Sequence, residues 1–540
     1  MTPDLQGFEL DADIADIGSH DPVSAVLDAL GQVFGVVTEP GAPGSGARQH
    51  TWLDTFDWRL NRAGLVLEYE HRSRGGRLLL TRDEVLQAEQ PVSGWRSGRP
   101  RLAEDLPAGP VRDQILKLAS PRALLPMATA SGSVSVTRLL NADGKTVARL
   151  VVDRSTVTRA DQAVLLPPRL TIAEVRGYPG QARRAARLLA ETPGVSPARQ
   201  TAFLEALHAL GRHPDDYSNG VTTEITAQMP ASVAVATLLL GLLDTVEQNV
   251  DGVLRDIDTE FLHDLRVASR RTRSAIKLLG DVLPDGLAAP YAAEFKWLGD
   301  LTTPTRDLDV HLLGFGAMAA QLVAASPADL EPFRAFLARR RTLEFRRLAA
   351  GLRSPRFRAL VDDWRKALLE VRDAGRPRKG PTADELAVSR TGRMFRRVIA
   401  QGGAITADSA PESLHDLRKR CKELRYVLEF FAPLHDPLAY RKVVGDLKQL
   451  QDCLGEFQDD EVQRHEIAAL ADEMLAERAA PAATLLAMGE IAANLAHSQA
   501  EARADFAQRF TRFAGPGEQQ RVRDLLDRPL PSGPRAGAGQ

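Results

Sequence analysis

The sequence predicts an α+β, multidomain protein in which an antiparallel β half precedes an all-α half that is built twice. Up to about residue 175, short stretches of alternating apolar and polar residues are separated by Gly, Asn, Asp and Pro clusters, the pattern of half-buried strands joined by turns. From about residue 230 to 513, apolar residues recur at three- and four-residue spacing, the period of amphipathic helices. Inside that half, "HDLRVASRRTR" from His263 returns 152 residues later as "HDLRKRCKELR" from His415. The separation is too long for a solenoid period, and a chain of 540 residues exceeds what one core usually organises.

Taken in order, "GLVLEYEHR", "GRLLLTR", "GSVSVTRLL" and "VARLVVDRSTV" read as strands, with a hairpin around "NADGK" at Asn141. Helical patterns follow at residues 181–190 and 201–210, and the breaker-rich "GRHPDDYSNG" closes the first half. These signals predict a first domain at 1–210, a linker at 211–224 and a helical domain at 225–512. The Gly-, Pro- and Arg-rich residues 513–540 are expected to form a flexible tail.

Sixty-nine basic against 71 acidic residues leave the chain near neutrality, so any basic site is local rather than a coat of positive charge. The only cysteines, Cys421 and Cys453, fall in helical patterns and read as core thiols, not as a disulfide framework or thiolate metal site. The acidic start and the short apolar run "VAVATLLLGLL" from Val233 lead us to expect a cytoplasmic protein without a membrane span.

The duplication extends beyond the cassette. Adding 152 to each position brings "LGDLTTPTRDLDV" from Leu298 onto "LQDCLGEFQDDEV" from Leu450, so Asp300 meets Asp452 and Asp307 meets Asp459. Two matches at one offset imply two similar helical bundles in one pseudo-symmetric domain. The paired acids are expected to cap helices or orient arginines rather than to catalyse.

On a helix, His263, Arg266, Arg270, Arg273 and Lys277 share one face, as do His415, Arg418, Lys422 and Arg425, with Lys419 beside them. Leu262, Leu265, Thr272, Ile276 and Leu279 form an adjacent apolar stripe, matched by Leu414, Leu417, Cys421, Leu424 and Leu428. The apolar stripe is expected to pack and the basic row to line its border, where guanidinium forks, ammonium groups and imidazoles can meet successive anionic oxygens. Such a row suits a linear polyanion. Nucleic acid fits less well, because aromatic stacking platforms are missing apart from Tyr426. Metal binding fits less well still, since His263 and Asp264 point to different faces and no HxxxH spacing occurs.

Through the two "HDLR" cassettes, "RDLDV" and "LGEFQDDEV", residues 225–512 resemble the CHAD family. That resemblance implies two four-helix bundles related by pseudosymmetry and basic helices that bind inorganic polyphosphate, with association to polyphosphate granules. The first half resembles a CYTH domain, the triphosphate tunnel class, through "WLDTFDWRLNRAGLVLEYE" from Trp52, "ARLVVDRSTV" and "IAEVRGYPG". That resemblance implies an eight-stranded antiparallel β-tunnel with inward basic residues and glutamates that hold a divalent metal, Mg²⁺ or Mn²⁺.

The chain departs from the second pattern at its chemistry. In place of E-x-E-x-K stands "ELDAD", so Glu9 and Asp11 could hold a metal but Asp13 replaces the cation. In place of R-x-R stands Glu68-Tyr69-Glu70; residues i and i+2 share a strand face, so both acids would repel a triphosphate. Arg77, Arg82, Glu174 and Arg176 are the remaining candidates for tunnel positions. The expectation is a degenerate tunnel kept as a scaffold, with no catalytic residue, cofactor or metal, beside a polyphosphate-binding helical domain. Its rival is a metal-dependent inorganic triphosphatase in the first half.

Overall fold

A computed structural model of the chain describes residues 7–10, 22–38, 46–72, 75–93, 99–159, 162–220, 224–374, 380–406 and 408–527. The chain divides into two compact units, Met1–Ser218 and Asn219–Gln540.

The first unit runs β1 (Phe8–Leu10), α1 (Pro22–Gly31), β2 (Gly35–Thr38), β3 (Gly46–Asp54), α2 (Arg59–Arg62), β4 (Val66–Arg72), β5 (Gly75–Arg82), β6 (Val85–Val92), β7 (Arg101–Leu102), α3 (Pro110–Ala119), β8 (Ala123–Leu140), β9 (Thr146–Arg159), β10 (Gln162–Leu165), β11 (Arg169–Glu174), α4 (Pro179–Ala190), β12 (Val195–Pro197) and α5 (Ala202–Ala209). The strands form one antiparallel sheet whose main path is β12-β1-β11-β9-β8-β3-β4-β5-β6, with β10 paired to β9 and both β2 and β7 paired to β8. The β8–β9 hairpin turns at Asn141, whose side-chain oxygen accepts from the backbone N–H groups of Asp143 and Lys145.

The sheet curls. Strands β11 and β5 are five steps apart, about 24 Å on a flat sheet at ~4.8 Å per step. Yet Arg169 of β11 approaches Glu84, in the turn after β5, at 3.9 Å. One side of the sheet is covered by α1 and α4 packed on Leu139, Leu150, Val152, Leu170 and Ile172. Tyr69, Leu78 and Leu80 pack with Val111 and Ile115 of α3, which draws Tyr69 away from the face that carries Glu68 and Glu70.

The second unit is all helix: α6 (Ala231–Leu254), α7 (Thr259–Leu279), α8 (Ala288–Ala319), α9 (Glu331–Leu352), α10 (Pro355–Asp373), α11 (Ala383–Gly403), α12 (Pro411–Phe430), α13 (Pro437–Ala476), α14 (Ala482–Phe513) and α15 (Pro516–Asp527). Helices α6, α7, α8 and α10 pack as one four-helix bundle, and α11, α12, α13 and α15 as the second. The remaining helices extend the α8–α9 and α13–α14 hairpins, which meet through Phe315, Phe333 and Phe336 against Ile467, Met474, Met488 and Ile491.

One expectation is corrected. Residues 516–527 are not part of a flexible tail: α15 is the fourth helix of the second bundle, with Val522, Leu525 and Glu518 buried. Its Gly- and Pro-rich flanks hid a short apolar stripe at i, i+3. The apolar run at Val233 belongs to a 24-residue helix that by length and composition could cross a membrane. With 56% of its most apolar window buried, α6 is instead a core helix of the first bundle.

Candidate functional site

Both cassettes fold as the periodicity requires. Asp258 caps α7 by accepting from the N–H groups of Glu260 and Phe261, and α12 starts at Pro411, whose missing N–H is no loss in a first turn. All ten residues of the two apolar stripes are buried. Cys421 is among them, and burial pushes its thiol up to about 12; Cys453 is buried too, with its thiol pushed up to about 11, so both are inert core thiols at neutral pH.

Helices α7 and α12 pack directly on each other, and their ion pairs reveal the symmetry. Lys277 contacts Glu423 at 2.7 Å and Arg271 contacts Glu429 at 3.0 Å. Adding the 152-residue offset turns 271 into 423 and 277 into 429. Each pair is therefore the image of the other, the reciprocity of an isologous twofold interface.

The basic rows meet across this axis. Arg270 donates through Nε to the Tyr426 hydroxyl at 3.0 Å. Lys422 has its ammonium lowered to about 8 by burial and by Arg418, Arg270 and, more weakly, Arg425. Cations from both cassettes thus crowd one lysine, and Asp459 offsets them only in part.

Neighbouring helices aim the arginines. Arg266 donates to Thr302 Oγ1 at 3.1 Å and Thr303 Oγ1 at 2.7 Å, and its image Arg418 donates to Asp459 at 2.8 Å. Arg425 donates to Gln451 at 3.1 Å, and the equivalent Arg273 lies against Gly299. Asp459 therefore orients an arginine, as expected. Asp300 does not cap a helix: it lies inside α8 and pairs with Lys296 of the same helix at 2.6 Å. Lys419 pairs along its own helix with Asp416, so it stands at the edge of the row.

The histidines differ between repeats. Burial and the Arg306 guanidinium hold His263 below the ordinary imidazole range, so it enters the row neutral rather than as a cation. His415 bonds through Nδ1 to Gln458, which is the 152-residue image of Arg306. Sequence reasoning missed Arg306, although the same 152-residue offset places it opposite Gln458.

The sheet unit holds a cavity of about 450 Å³ lined by Arg48, His50, Trp52, Glu68, Asp153 and Arg169 among others. Its cations are already matched. Arg48 faces Glu68 at 3.2 Å and Asp153 at 3.6 Å, and Arg169 faces Glu205 at 3.0 Å and Glu9 at 3.5 Å. Glu68 lines the cavity as expected, while Glu70 is neutralised by Arg77 at 2.5 Å. Arg82 and Arg176 are exposed and so do not supply tunnel cations; those come from Arg48 and Arg169, which the sequence reading passed over. Asp11 and Asp13 lie outside the described residues, and among the described residues no three acidic, His or Cys side chains are grouped to hold a metal.

Residues 237–468 match the CHAD domain family, so the helical unit carries a CHAD domain. No curated protein matches the chain. Among solved structures the chain is similar to the CHAD domain from the plant Ricinus communis, with 23% identity and a TM-score of 0.42 over 58% of this chain and 98% of that one. It is also similar to PptA from Streptomyces chartreusis, with 17% identity and a TM-score of 0.40 over 52% and 99%. A candidate adenylate cyclase from Bacillus halodurans has 15% identity and a TM-score of 0.26 over 38% and 98%.

Proposed function

We propose that this CHAD-domain chain binds inorganic polyphosphate along the joined basic rows of α7 and α12, in the cytoplasm and at polyphosphate granules. The observation that carries the reading is Lys422, half-buried and crowded by Arg418, Arg270 and Arg425. A site that accumulates like charge this way is stabilised by an anion with closely spaced negative groups. Arg266, Arg270, Arg273, Arg418 and Arg425 offer planar forks, Lys277 and Lys422 point charges, and His263 and His415 stand at the head of each row. Affinity falls steeply with salt, as for other multivalent polyanion contacts. The test is titration of the full chain with long-chain polyphosphate at several ionic strengths; affinity that is weak or insensitive to salt would reject the reading.

The alternative, a metal-dependent inorganic triphosphatase in the sheet unit, has less support because Arg48 and Arg169 are committed to carboxylates. Tripolyphosphate hydrolysis with Mg²⁺ or Mn²⁺ decides it. Turnover that disappears in Glu9→Gln or Asp11→Asn would establish the enzyme.

A further inference from the structure

The cavity of the sheet unit has the opposite character from a triphosphate site. Its lining carries four carboxylates, Glu68, Asp83, Glu84 and Asp153, against Arg48 and Arg169. Behind Arg169 stand Glu9 and Glu205, and burial together with a hydrogen bond to Glu9 pushes the Glu205 carboxyl up to about 7. Each arginine meets at least two acids, so negative charge is in excess throughout.

His50 adds an independent indication. It projects from β3 on the same side as Arg48 and Trp52, and all three line the cavity. Its Nδ1 lies 2.9 Å from a Glu68 oxygen; a carboxylate accepts, so Nδ1 donates to it. Nε2 has no hydrogen-bond partner although His50 is 4% exposed. A buried ring nitrogen left open calls for a partner. Trp52 and Phe203, stacked with centroids 5.8 Å apart, supply aromatic surface of the kind that favours cations.

We propose that this cavity binds a small organic cation of the alkylammonium class, with Glu68 and Asp153 as its counter-ions and the open ring nitrogen of His50 beside them. A bare metal ion fits poorly, because among the described residues the acids do not converge into a coordinating group. A volume of about 450 Å³ lies within the ~300–1,000 Å³ usual for small-molecule pockets.

The test is calorimetric titration of the full chain carrying R266A, R273A, R418A and R425A, which removes phosphate binding by the helices from the readout. The probes are 1,4-diaminobutane, magnesium chloride and sodium tripolyphosphate. The expected result is saturable binding of the diamine, weakened about tenfold or more by Glu68→Gln and by Asp153→Asn, with no heat from magnesium. Should Glu68→Gln unfold the unit, Asp153→Asn still decides, since that side chain is partly exposed and its thermal midpoint serves as the folding control. Absence of diamine binding, diamine binding indifferent to both substitutions, or magnesium or tripolyphosphate binding that depends on Glu68 or Arg48 would each overturn the proposal.

Discussion

In the sheet unit, Arg48 is matched by Glu68 and Asp153, and Arg169 by Glu9, Glu84 and Glu205. In the helical unit, burial together with Arg418, Arg270 and, more weakly, Arg425 lowers the Lys422 ammonium to about 8, against a partial offset from Asp459. Both regions present arginine to a concave or shared surface, so residue type alone would make both phosphate sites. The difference lies in what stands opposite each guanidinium. Arg48 and Arg169 each face two or three carboxylates, whereas Arg418 and Arg425 each face one, Asp459 and Glu429, so the sheet arginines must give up more charge-assisted bonds before they can meet an anion.

The largest test of this contrast is the quadruple variant R266A/R273A/R418A/R425A. Each lost charge-assisted contact is worth about 1.5–3 kcal/mol, so affinity for long-chain polyphosphate should fall at least a thousandfold, roughly, with helicity by circular dichroism retained. The matching R48A/R169A variant should leave that affinity within about twofold, because its arginines serve local ion pairs. Equal losses in the two variants would erase the distinction between the units.

Next in size is the closure of the second bundle. V522D/L525D buries two charges where α15 packs, and should destabilise the helical unit by about 3–6 kcal/mol, read as a lower urea midpoint. An unchanged midpoint would mean that α15 adds nothing to the bundle.

A smaller effect comes from pH. Free Lys422 titrates at about 8, and a bound polyanion raises that value, so binding takes up a proton above pH 8. Affinity should be level in this respect below pH 8 and decline as pH rises through 8 towards the higher bound-state value. Titrations across roughly pH 7 to 10 should show this decline in the native chain and lose it in Lys422→Arg. The smallest effect is expected from Glu423→Gln, which frees Lys277 and Arg420 from their carboxylate and should tighten binding by about two- to fivefold.

Much of the helical site was legible in the sequence because helix periodicity and a single offset fix it. His263 through Lys277 needed only a face, and the buried stripe of Leu262, Leu265, Thr272, Ile276 and Leu279 follows from the same spacing. The reciprocal pairs of Arg271 with Glu429 and Lys277 with Glu423 could not be read, because they depend on how α7 crosses α12. The sheet unit was harder. Arg48, Asp153 and Arg169 come from β3, β9 and β11, and only the curl of the sheet brings them to one cavity. Strand alternation assigns a side of the sheet, not a partner across it. Segment 516–527 was lost for another reason: composition outweighed the two apolar residues that mattered.

The placement of α15 also sets an order of events during synthesis. Helix α12 ends at Phe430 and its bundle is completed only by residues 516–527. Translation at ~5–20 residues per second leaves α12 without its full set of neighbours for roughly 5–20 s after it is made. During that interval the first repeat, already complete, can offer α7 as a template on which the nascent α12 docks.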